Sequence, residues 1–120
     1  MRYLCLIYLD GKMLEAMPSP EMSALNARHL VLNEELLARG QFIEAEALQP
    51  SPATTCVRVR NGKVAVTDGP YAEAKEVVGG IYILKAKDYA EAAELASTCP
   101  HMLYGRIEVR EVDFMGQPEP

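Results

Sequence analysis

Cysteine is scarce and unpatterned in this chain: Cys5, Cys56 and Cys99 are the three, and no C-x-x-C occurs among them. That excludes a zinc ribbon and a thioredoxin-like redox site. It leaves buried or partly buried free thiols in a reducing compartment as the reading. Histidine is scarcer, with only His29 and His101, and their separation in sequence gives no metal-ligand spacing. There is no H-x-x-x-H, no carboxylate-rich calcium loop and no phosphate-cradling glycine loop, so no cofactor is expected. Positive charge is also in deficit: 12 Lys plus Arg stand against 17 Asp plus Glu, a net charge of −5. A phosphate-backbone binder needs a basic face and a peripheral anchor needs a polybasic patch, so neither nucleic acid nor membrane is an expected partner. Long apolar runs are missing too. The N-terminal run Tyr3–Leu9 is too short to span a bilayer, and Asp10 closes it. It lacks the longer apolar core and cleavage site of a signal peptide, which points to the cytoplasm.

What is there suits one compact domain: 120 residues, 49% hydrophobic and 24% charged. Tyr3–Leu9 reads as a strand with apolar groups on both faces, covered on both sides. Met13–Pro20 reads as a loop. A helix follows to Arg39, with Ser19 as N-cap, Pro20 in the first turn and Gly40 as the left-handed stop. Gln41–Leu48 is a second strand. Thr54–Arg60 and Lys63–Thr67 flank Asn61-Gly62, a strong two-residue hairpin signal, in a register that faces Val59 with Val64 and Val57 with Val66. Val77–Lys85 is a further strand, in which Gly79-Gly80 indicates close backbone packing or a bulge. Asp88-x-x-Glu91 is a capping-box start for a helix over Tyr89–Ser97, and Arg106–Val112 is the last strand. The order is strand, helix, strand, hairpin, strand, helix, strand. That is an α+β ferredoxin-like split pattern with an added hairpin and helices on one sheet face. A second subunit, sheet against sheet, is the simplest cover for the other face. The domain is expected over 1–113, with 114–120 a frayed tail.

On the first helix, Met22, Leu25, His29, Leu32 and Leu36 fall on one stripe, widened by Leu30 and Leu37. Asn26 and Asn33 fall between the two sets, so His29 sits in a polar streak within an apolar face. Two readings stand. His29 is an acid/base group at the floor of a small pocket, or it is a hydrogen-bonded core or interface histidine. Asp68, at the end of the hairpin, is either a turn residue or a carboxylate at a strand mouth able to orient a histidine. His101, beyond the second helix, reads as a surface loop residue.

The stretch Val66-Thr67-Asp68-Gly69-Pro70-Tyr71-Ala72-Glu73-Ala74-Lys75-Glu76, followed by Gly79-Gly80, resembles the DGPF subgroup of the YCII-related family. Tyr71 replaces the usual Phe, Ala74 the usual Thr, and Ile81 the usual aromatic. Arg2–Tyr8, Asn33–Leu36 with Gly40, Leu48–Pro50 and Ile107–Arg110 extend the resemblance over roughly residues 1–113. It implies a dimeric α+β barrel whose two facing sheets enclose a cavity. It also implies a His–Asp pair: His29, eleven residues before Gly40, with Asp68 as its partner. Asn26, Asn33, Gly69, Pro70 and Tyr71 are the expected binding residues for a small molecule. Similar barrels include muconolactone-isomerase-like enzymes, small monooxygenases and ligand-binding regulatory domains, and DGPF proteins are often linked to extracytoplasmic-function sigma factors. Two functions are therefore expected to compete. One is metal-free general acid/base catalysis on a small organic molecule. The other is non-catalytic binding or regulation.

Overall fold

Alternation of apolar side chains makes the central strand. In the computed structural model, which describes residues 1–69 and 76–120, strand β1 (Arg2–Asp10) turns Tyr3, Cys5, Ile7 and Leu9 into the core. Its other face carries Leu4, Leu6 and Tyr8, each half-buried. The Asp10 carboxylate accepts the amides of Lys12 and Met13 at 3.0 and 3.1 Å. It thereby caps a short helix, α1 (Gly11–Ala16), which takes up part of the expected loop.

Helix α2 (Ser19–Ala38) places Ser19 and Pro20 in its first turn. Pro18, not Ser19, is its N-cap, and its carbonyl accepts the Met22 amide at 3.0 Å. Gly40 ends the helix with φ +72, the left-handed geometry that glycine adopts without a Cβ penalty. Leu25, Leu32 and Leu36 are buried, whereas Leu30 and Leu37 are each 62% exposed and do not widen the buried stripe.

Strands β2 (Phe42–Ala47), β5 (Glu76–Lys85) and β6 (Gly105–Glu111) join β1 in an antiparallel sheet of order β2-β5-β1-β6. Helix α2 packs on one face of that sheet beside α3 (Tyr89–Ser97), whose Ala92, Leu95 and Ala96 are buried in the same core. The N-cap Asp88 accepts the Glu91 amide at 2.9 Å. Glu91 in turn accepts the Lys87 amide and the Gln41 side chain, tying the helix start to the residue that leads into β2. The split strand–helix–strand topology expected from the sequence is thus present.

Gly79 is the extra residue of a bulge: Ile7 pairs Gly80 and Tyr8 pairs Val78, leaving Gly79 between them. Gly105 answers a different need. A Cβ built there would stand 1.9 Å from the Tyr8 carbonyl oxygen, so only glycine lets β6 approach β1 at that point.

The hairpin β3 (Thr55–Arg60) and β4 (Lys63–Asp68) has the expected register, Val57 opposite Val66 and Val59 opposite Val64. Asn61 and Gly62, at φ +50 and +75, make the turn. It forms a sheet of its own, and its four valines are 61–68% exposed. The Cα radius of gyration is 16.3 Å, against about 14 Å for a compact chain of this length. The C-terminal residues lie against the start of β1. The Met1 ammonium is 3.4 Å from Glu119, and the Arg2 guanidinium donates to the Pro120 carbonyl at 3.0 Å.

Candidate functional site

Between α2 and strands β1, β5 and β2 of the sheet lies a cleft of about 240 Å³, lined by Ile7, Leu9, Asn26, His29, Leu30, Asn33, Ala45, Glu46, Ala47, Gly79, Gly80 and His101. A second hollow of about 300 Å³ adjoins it, sharing Leu9, Asn26, Ala47, Gly79 and His101 and extending to Leu14, Met22 and Val77. The floor is sheet and the wall is helix. The two glycines of the bulge keep the floor open by bringing no side chain into it. An apolar concavity with a few convergent polar groups is the usual form of a small-molecule site.

His29 stands on the buried side of α2, where the stripe of apolar residues required it. Its Nδ1 is 3.8 Å from the Cys99 Sγ, and its ring meets Tyr82 edge-on at a centroid distance of 6.2 Å. Burial lowers its pKa, because the charged imidazolium loses solvation. Burial thus favours the neutral imidazole over the imidazolium.

His101 is the residue that reading the chain in order misplaced. A short 3-10 helix over Pro100–Tyr104 turns it inward, and its ring centroid lies 5.1 Å from that of His29. Burial first, then the neighbouring His29 and Arg28, pushes its pKa down to about 4. Its Nδ1 is buried without a hydrogen-bond partner. Cys99, the N-cap of that turn, is 3% exposed, and burial raises its thiol pKa. The Tyr82 hydroxyl is buried against the thiols of Cys5 and Cys99. Sulfur is a weak partner, and the hydroxyl makes no ordinary hydrogen bond. All three cysteines are free thiols, Cys5 and Cys99 buried and Cys56 partly so.

Asn26 and Asn33 line the cleft beside His29, as the helical spacing predicted. Asp68 is elsewhere. It is exposed at the end of β4, paired with Thr55, and it does not line the cleft. Gly69, at φ +89, donates its amide to the Thr54 carbonyl. Pro70 and Tyr71 lie outside the described residues. The structure thus brings together His29, Asn26, Asn33 and His101 and, beside them, Cys99. Cys99, read from the sequence as a buried thiol, and His101, read as a surface loop residue, carried one signal of their place in the site: they bracket Pro100 where α3 ends. A proline there starts a tight turn that presents both side chains inward.

Among the described residues, no helix is long and apolar enough to cross a membrane. Over 96 residues the chain is 27% identical to the uncharacterized protein R00369 of Rhizobium meliloti (strain 1021), covering 80% of this chain and 77% of that one. Among solved structures it is similar to the 5-chloro-2-hydroxyhydroquinone dehydrochlorinase of Burkholderia phenoliruptrix AC1100 in complex with 2,5-dihydroxybenzoquinone. That match has a TM-score of 0.48 and 16% identity, over 94% of each chain. The model of the YCII-related domain matches residues 1–115, nearly the whole of the sequence, and the chain belongs to that family.

Proposed function

We propose that this YCII-related protein, of the DGPF branch by its sequence motif, is an enzyme that moves a proton on a small, largely apolar organic molecule. His29 is its general acid/base. The observation that carries the reading is the placement of a neutral, half-buried imidazole on the wall of an apolar cleft, with two amides on the same helix to orient a polar substrate group. An imidazole that is neutral at working pH accepts a proton without first having to lose one. In the tautomer that carries its proton on Nδ1, 3.8 Å from the Cys99 sulfur, the ring leaves Nε2 as the acceptor. An enolisable carbonyl compound is the substrate class this suits. Proton abstraction beside a carbonyl needs a base, a polar group near the developing oxyanion and little water.

In this reading the protein works as a homodimer, and Asp68 reaches the site of one copy from the hairpin of the other. Two surfaces support this. The outer sheet face centres on Leu4, Leu6, Ile81 and Ile83, flanked by Glu44 and Glu46 on one edge and Arg106, Glu108 and Arg110 on the other. The hairpin adds its exposed valines. Both faces are better covered than wet.

The test is loss of α-proton signals from a panel of enolisable ketones and enol lactones in D2O, followed by NMR. The wild-type protein should accelerate exchange, and His29→Ala should remove about 100-fold of that rate while retaining the native circular dichroism spectrum. Probes that shift protein resonances without any accelerated exchange would overturn catalysis and leave a binding module.

A further inference from the structure

Three side chains from two parts of the chain converge beside the cleft. His29 comes from α2, and Cys99 and His101 come from the turn after α3. One ligand atom of each lies within 4.8 Å of the others. We propose that His29, Cys99 and His101 form a mononuclear site for a zinc-class metal ion, with a coordination position left open toward the cleft.

The distances fit. Tetrahedral zinc with Zn–N near 2.0–2.1 Å and Zn–S near 2.3 Å puts its ligand atoms about 3.3–3.6 Å apart. The His29 Nδ1 to Cys99 Sγ separation is 3.8 Å. Closing the widest gap, below 4.8 Å, takes about an ångström of side-chain rotation. The donors are the right kind: two imidazoles and a thiolate favour zinc, cobalt(II) or copper(I) over calcium or magnesium, which want oxygen.

A second observation points the same way. The His101 Nδ1 is buried with no partner, and a buried polar atom left orphaned requires an explanation. Nothing else around the cluster takes that role among the described residues. The backbone is also fixed beforehand. The Cys99 amide donates to the Ala96 carbonyl at 3.1 Å and the Met102 amide to the Cys99 carbonyl at 3.0 Å, so the two ligands of the turn are held in place. Both histidines line the cleft while Cys99 lies behind them, so the remaining side of the ion faces the cavity. Three protein ligands plus an open position is the arrangement of catalytic zinc, not of structural zinc.

Binding M²⁺ replaces the thiol proton, which leaves to solvent: one sulfur–hydrogen bond breaks, one sulfur–metal bond forms, and no oxidation state changes. The inference goes beyond the imidazole-base reading. A metal on Nδ1 leaves His29 without a free basic nitrogen, so the metal-bound and proton-shuttling forms exclude one another.

Cobalt(II) added to the chelator-treated full-length protein is the probe. One equivalent should produce a thiolate-to-cobalt charge-transfer band in the near ultraviolet and tetrahedral d–d bands in the visible, and zinc(II) should bleach both. Cys99→Ser should abolish the near-ultraviolet band. His101→Asn should weaken binding about tenfold or more, and Cys56→Ser should change neither. Circular dichroism checks that each variant is folded, and His101→Asn keeps the test decisive if Cys99→Ser is not. Absence of the band in the wild type, or its survival in Cys99→Ser, would overturn the proposal. No substrate enters this titration, so its failure is distinct from a failure of the exchange assay.

Discussion

A single imidazole links burial to pH. His101 is held at about 4 in the folded chain against an ordinary 6.5. As pH falls below about 6.5 the unfolded chain takes up the proton first, and the folded chain resists until about 4. Across that window the unfolded state binds more protons, so stability falls as pH falls. Above it both states are neutral and His101 contributes no pH dependence. For a half-buried group the loss is on the order of 1–2 kcal/mol. In chelator-treated protein, urea midpoints measured at pH 7.5 and pH 5 should therefore drop more for wild type than for His101→Asn. His29, lowered in the same direction, leaves part of the slope in the variant. Equal drops would remove the burial account. The sequence did not show this residue's place. A histidine one step past a proline reads as loop, and only the packing of the 3-10 turn against α2 reveals that it points inward. His29, by contrast, was legible, because helical spacing alone put it among Leu25, Leu32 and Leu36.

Among the elements, those with local causes were legible. The hairpin follows from Asn-Gly and alternation, and its valine pairs fall in the register that period two demands. The Gly79-Gly80 pair signalled the bulge that is found. Helix α1 was missed because its cause is one carboxylate serving two roles: Asp10 ends a strand and caps the next helix at once. Asp88, three residues past the end of β5, caps α3 with a bond from the Glu91 amide. That helix is only nine residues long and depends on its first turn. Asp88→Ala should cost about 1 kcal/mol in equilibrium urea unfolding. Asp88→Asn, which keeps an acceptor oxygen, should recover most of it. A neutral Asp88→Ala would mean that packing of Ala92, Leu95 and Ala96 alone sets the start of α3.

At the scale of the whole molecule, the sheet has one face filled by helices, while the other carries half-buried leucine and isoleucine that lie outside that core. The charged rims and the projecting valine hairpin suit a second copy better than solvent. Leu6 lies at the centre of that outer face, opposite Ile81 on one side and Glu108 on the other. Leu6→Arg should leave the core of Tyr3, Cys5 and Leu84 intact and shift sedimentation from dimer to monomer. The same variant tests where Asp68 acts. Within one chain burial is what lowers the His29 pKa, and no carboxylate among the described residues opposes it. A partner carboxylate brought beside the ring would stabilise the imidazolium and move the titration upward. Ring-proton NMR should then give His29 a higher midpoint in the wild-type dimer than in Leu6→Arg. Asp68→Asn should lower it in the dimer and leave the monomer unchanged. If wild type and Leu6→Arg titrate alike while differing in assembly, Asp68 has no part in the site, and His29 works with the amides and the buried thiol of its own chain.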